Sequence, residues 1–85
     1  MDRVARIKDK LTILKPQYLK LIDQTSAHRG HLENDNQLET HLKLIIQSES
    51  LDDKTRINQH KIINKLLSDE FHNGLHALSI KIIEK

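Results

Sequence analysis

The apolar residues of this 85-residue chain change their spacing three times, and the order of those changes restricts the fold more than any other feature. Val4, Ile7, Leu11 and Leu14 are separated by three, four and three positions, which is one stripe of a helix. Asp2 stands where a helix cap is needed, and Pro16 forces Lys15 out of helical geometry, so this helix covers about residues 2–14. The spacing then drops to two. In Y-L-K-L-I-D, Leu19 and Leu21 share one face, while Tyr18, Lys20 and Ile22 share the other. In E-T-H-L-K-L-I-I-Q-S, Leu42, Leu44 and Ile46 oppose His41, Lys43, Ile45 and Gln47. Both segments read as strands, joined by a long polar stretch that contains Gly30.

Helical spacing returns from Lys54 to about Leu67, where Ile57, Ile63, Leu66 and Leu67 form a broad apolar face with Ile62 at its edge. The preceding S-E-S-L-D-D reads as a turn, with Asp52 or Asp53 as the cap. Asn73-Gly74 stops the chain. H-A-L-S-I-K-I-I is the third strand, with His76, Leu78, Ile80 and Ile82 on one face. Each strand has one aliphatic face and a lysine on the other, so the sheet is covered on one side and wetter on its second. A helix between strands two and three makes that pair a parallel crossover, whereas strands one and two form an antiparallel hairpin. The expected fold is α/β, with order α-β-β-α-β, a mixed three-stranded sheet and helices on one face, in a single domain over residues 1–85.

Leu and Ile supply 24 of the hydrophobic residues, and Tyr18 and Phe71 are the only aromatics, so the core is aliphatic. There is no cysteine, which excludes disulfides, thiolate zinc sites and a self-contained iron–sulfur centre. No apolar run reaches membrane-span length, and the N-terminus lacks a signal-peptide pattern, so a cytoplasmic location is expected. No nucleophile motif, phosphate loop or acid pair is present. Ser26 near His28 has no orienting third group, so the chain is not expected to be an enzyme.

The charges are uneven. Residues 21–53 hold two basic and seven acidic groups, and residues 54–65 hold four basic and none acidic. Lys54, Asn58, Lys61 and Lys65 step by four, three and four along one helix face, with Arg56 on another. This is either a solvated helix surface or a set of phosphate contacts for duplex DNA, although a net charge of +2 is small for a dedicated DNA binder. No paired glycines form a nucleotide clamp, and no aromatic pattern for base stacking is evident.

Six histidines is a high number for this length. His28 and His31 lie in the long polar stretch, His41 on the wetter sheet face, and His60 at the border of the second helix's apolar face. His72 and His76 flank the Asn-Gly stop. His76 opens the third strand at the mouth of the core. Its spacing leaves two readings open, a ring bonded to a backbone carbonyl or a metal ligand. His41 and His60 read as structural.

Several segments, in order, resemble the BolA family over nearly the whole chain. They are Tyr18-Leu19, Asp23 and Ser26 before a histidine loop, E-T-H-L-K-L-I-I-Q-S, R-I-N-Q-H-K-I-I-N, L-L-S-D-E-F and G-L-H-A-L-S-I. The resemblance implies a KH-like fold of the second topology, which matches the pattern read from spacing. It also implies pairing with a monothiol glutaredoxin and joint ligation of a [2Fe-2S] cluster, with sulfur from the partner's cysteine and from glutathione. The family's fixed ligand falls on His76 and its loop ligand on His28, with His31 as substitute. The isolated chain, a monomer or weak homodimer, is then expected to hold no cluster. Zinc on His28, His31 and His76 is the metal alternative. The family's second theme is DNA binding and transcriptional control in stress, here resting on Lys54, Arg56, Asn58, His60, Lys61 and Lys65. The sequence departs from the family at Leu51 and Asp53, where Phe and Gly are usual. It departs again at Gln59-His60-Lys61, where the usual Arg-His-Arg is more basic.

Overall fold

The computed structural model describes residues 2–24 and 40–84. Helix α1 spans Arg3–Leu11, and the Asp2 carboxylate accepts a hydrogen bond from the Ala5 N–H, so Asp2 is the cap that the sequence places there. The helix tightens into a 3₁₀ turn at Thr12–Leu14. Lys15, just before Pro16, leaves helical geometry as the sequence expects, but by a left-handed conformation with φ 47° rather than the extended one that a following proline favours.

Strand β1 spans Tyr18–Asp23 and β2 spans His41–Gln47. Helix α2 is Glu49–Asp52, α3 is Arg56–Leu66, α4 is Ser68–His72, and strand β3 is Ala77–Ile82. The sheet order is β1-β2-β3, with β1 antiparallel and β3 parallel to β2. The mixed three-stranded sheet inferred from residue spacing is the sheet observed. Leu42, Leu44 and Ile46 of β2 are buried against Ile7, Leu11 and Leu14 from the N-terminal helical segment, and against Leu51, Ile63, Leu67 and Leu75. Leu19, Leu21, Leu78, Ile80 and Ile82 pack at the margin of this core. Each fully buried Leu or Ile contributes about 1.5–3 kcal/mol.

The crossover between β2 and β3 is where the structure departs from expectation. The S-E-S-L-D-D turn is a short helix, α2, capped by Ser48, whose hydroxyl accepts from the Ser50 N–H at 3.2 Å. That hydroxyl also donates to the Leu14 carbonyl, binding the end of the first helical segment to the crossover. The cap of α3 is Thr55 rather than Asp52 or Asp53, and the helix begins two residues after Lys54. Its apolar face is narrower than the spacing suggested. Ile57 is 67% exposed, and the buried positions are Gln59 and Ile63. Gln59 is accommodated because its amide donates to the Leu51 carbonyl at 2.7 Å, a local bond that offsets its burial. A further short helix, α4, carries the chain from Leu67 to Asn73.

Candidate functional site

The segment that delivers the chain to β3 is fixed by a carboxylate. Glu70 in α4 is 3% exposed, and three cations from α1 converge on it. Arg6 donates twice, from Nε to Oε2 at 2.9 Å and from Nη2 to Oε1 at 3.0 Å. Lys10 Nζ reaches Oε2 at 2.8 Å, and Arg3 Nε reaches Oε1 at 3.2 Å. Arg3 also donates from Nη2 to the Asn73 carbonyl at 2.6 Å. The Arg6 bonds are the largest cause holding the Glu70 carboxyl down at about 2. Burial opposes them, and the bonds from Lys10 and Arg3, with the charge of Lys10, add to the lowering. The Glu70 backbone carbonyl accepts from the Asn73 and Leu75 N–H groups at 3.1 and 2.9 Å. One residue therefore binds the α4–β3 turn to α1 through its side chain and closes the turn through its backbone. Sequence reasoning overlooked this cluster. A signal was present: Arg3, Arg6 and Lys10 step by three and four along α1, and Glu70 follows Leu67 by three.

The turn ends at Gly74, whose φ of +115° suits glycine. His76 follows, and its position differs from the sequence expectation. It precedes β3, and its N–H and that of Ala77 both donate to the Thr40 carbonyl, at 2.8 and 3.1 Å. Two successive donors on one acceptor break the alternation of an extended strand, so the side chain is not carried onto the aliphatic face. The His76 ring is exposed and stacks on the ring of His41, with centroids 5.8 Å apart and planes 13° from parallel. His41 Nδ1 lies 3.0 Å from the Thr40 hydroxyl. His76 thus stands at the rim of the uncovered sheet face beside His41, not at the mouth of the core.

His28 and His31, the loop-ligand candidates, lie outside the described residues, as does Ser26. Among the described residues, no group of three or more His, Cys, Asp or Glu is placed to hold a metal ion.

The basic candidates lie across the molecule, on α3 and the turn before it. Lys54, Arg56, Asn58, Lys61 and Lys65 are exposed, and His60 is half-buried. Lys54 Nζ is 3.5 Å from Asp53 Oδ1, an exposed pair of little energetic weight. Arg56, Gln59 and His60 line a shallow groove of about 300 Å³ with Ile80, Lys81, Ile82 and Glu84. Arg56 and His60 share this groove, whereas Lys54, Lys61 and Lys65 are not among the residues lining it.

The family model described as BolA-like protein matches residues 11–85. The chain belongs to the BolA-like family. This BolA-like chain is 39% identical over 84 residues to SufE-like protein 1, chloroplastic/mitochondrial, of Arabidopsis thaliana, covering 93% of itself and 23% of that protein. It is 32% identical over 69 residues to the DNA-binding transcriptional regulator BolA of Vibrio cholerae, covering 78% of itself and 58% of the regulator. It thus spans about a quarter of the first relative and somewhat over half of the second. Among solved structures, the BolA domain of SufE1 from Arabidopsis thaliana superposes with a TM-score of 0.86 at 38% identity, covering 99% of this chain and 93% of that one. The mixed three-stranded sheet with helices on one face, read from the spacing of Leu and Ile, is therefore the fold of its BolA-like relatives. Among the described residues, no helix is long and apolar enough to cross a membrane.

Proposed function

We propose that this BolA-like chain is an accessory protein of iron–sulfur metabolism that pairs with a monothiol glutaredoxin and contributes His76 as a ligand to a shared [2Fe-2S] cluster. The observation that carries this reading is the exposed His76 imidazole on a rigid mount. The Thr40 carbonyl holds its backbone, the His41 ring backs its face, and the Glu70 cluster braces the turn before it. The donor set agrees with shared ligation. A chain without cysteine can offer an iron–sulfur cluster imidazoles but no thiolate, so the thiolates that such clusters use come from another molecule. His28, or His31 in its place, is the second donor in this reading. Bound between the two chains, the cluster supplies a redox-active iron whose potential imidazole ligation raises. His76 presents a ring nitrogen at a fixed position, and His41 limits the ring's rotation.

A second reading is favoured by the exposed Lys54, Arg56, Asn58, Lys61 and Lys65, with His60 beside them, and by a relative named as a DNA-binding regulator. In it, α3 and the turn before it contact the phosphates of duplex DNA. One experiment separates the two. The chain is mixed with a cluster-loaded monothiol glutaredoxin, and visible absorption and circular dichroism are recorded. The cluster reading requires a spectral change that His76→Ala abolishes. If His76→Ala behaves like the parent while Lys54→Ala, Lys61→Ala and Lys65→Ala together abolish duplex binding, the regulator reading replaces it.

A further inference from the structure

Apart from His76 and the His41 ring behind it, the sheet face turned away from the helices has a composition that neither reading uses. Tyr18 opens this face on β1 and is 44% exposed. On the next rung Lys20, Ile45 and Lys81 lie side by side across the three strands. Ile22, Lys43 and Ser79 form the rung after that. The far end carries the stacked rings of His41 and His76. Within the three strands, none of the positions on this face is an Asp or Glu. Lys20 and Lys81 are exposed and Lys43 is half-buried. Lysines and isoleucines therefore alternate between an aromatic ring at one end and an imidazole pair at the other. Successive rungs on one face are roughly 6.7 Å apart, so the two ring stations are separated by about 20 Å.

We infer that this face binds single-stranded nucleic acid, with Tyr18 and the His41–His76 pair as stacking stations and Lys20, Lys43 and Lys81 as phosphate contacts. Three cations without a carboxylate on the same strands' face call for a polyanion. Planar rings at both ends call for unstacked bases rather than carboxylates. A duplex keeps its bases stacked on one another and offers none to a ring. Lys54, Lys61 and Lys65 are separate from the site, because α3 packs on the opposite side of the sheet through Ile63, whereas Lys81 on the edge strand also lines the groove with Arg56 and His60. The inference does not depend on the cluster reading.

Tyr18 is the only tyrosine and there is no tryptophan, so the unaltered chain carries its own reporter. Titrating with a labelled oligothymidylate of about ten nucleotides, within the usual range of such sites, is followed by anisotropy and by tyrosine emission. The expected result is binding that quenches Tyr18 and weakens as salt rises. Tyr18→Ala weakens it about tenfold, in line with loss of one stacked base. Replacing Lys20, Lys43 and Lys81 together by serine lowers the slope of log affinity against log salt by roughly 2. The Lys54→Ala, Lys61→Ala, Lys65→Ala variant binds as the parent does. No binding, or binding without quenching, overturns the inference. So does loss of binding in the α3 variant, or displacement of the oligonucleotide by polyglutamate at equal charge, which assigns the face to an acidic protein. Quenching in the unaltered chain keeps the test decisive even if the triple-serine variant fails to fold.

Discussion

Replacing Glu70 by glutamine tests whether the convergence of Arg6, Lys10 and Arg3 on one carboxylate stabilises the fold. In the folded chain this carboxyl is held at about 2, against an ordinary 4.5. Each unit of such a difference is worth about 1.4 kcal/mol, so the full lowering corresponds to about 3 kcal/mol. Glu70 itself is almost fully buried, but Arg6 and Lys10 are 38% and 29% exposed and water screens them in part, so about 2–3 kcal/mol is expected. The sign follows from linkage. A carboxyl whose folded value is depressed contributes fully above its unfolded value. That contribution disappears as pH falls from about 5 toward 2, and more than half of it is gone by pH 3. Urea unfolding followed by far-ultraviolet circular dichroism at pH 7, 5, 4 and 3 measures this. The other carboxyls titrate alike in parent and Glu70→Gln, so the difference between the two isolates Glu70. The parent is more stable at neutral pH, and its advantage shrinks steadily below pH 5. An advantage that stays constant from pH 7 to pH 3 refutes the reasoning, because it makes Glu70 a packing residue and not an ionic one.

Other outcomes follow from the same structure. Gly74→Ala lowers stability by about 1–2 kcal/mol in thermal unfolding, mostly from backbone strain at φ +115°, because the 2.9 Å approach to Arg3 Nη2 involves the far end of a flexible side chain. Ser48→Ala costs about 1–2 kcal/mol in urea unfolding, since the buried hydroxyl both caps α2 and bonds the Leu14 carbonyl. Leu44→Ala, at a fully buried position in the central strand, costs about 2–5 kcal/mol. Ile57→Lys changes stability by less than about 0.5 kcal/mol despite removing an isoleucine, because that side chain faces water.

The frame of the fold was legible because its strands alternate cleanly. Leu42, Leu44 and Ile46 mark the buried face of β2 without ambiguity, and the opposite faces of Tyr18-to-Asp23 and Ala77-to-Ile82 match it rung for rung. The crossover was less legible because polar residues decide it. Ser48 bonds the Leu14 carbonyl from far along the chain, while Thr55 and Gln59 act through nearby backbone groups, the Asn58 N–H and the Leu51 carbonyl, that hydropathy does not register. Gln59 occupies a buried position that hydropathy assigns to Ile57. At the candidate site, spacing placed His76 on the core face because strand alternation was extended one residue too far. The shared Thr40 acceptor reverses that placement and exposes the ring. The Glu70 cluster joins residues sixty or more positions apart, so no local pattern contains it, although both halves can be seen separately.

That cluster has a practical consequence for where the domain is cut. The family match starts at Leu11, and a fragment trimmed to that boundary loses Arg3, Arg6 and Lys10 while keeping all three strands. It removes the three cations that pair with Glu70 and, with them, the fully buried Ile7, so both the ion cluster and part of the core are lost. It also removes the bonds that brace the turn before His76. The first turns of the chain thus set the geometry at the opposite end of the sequence.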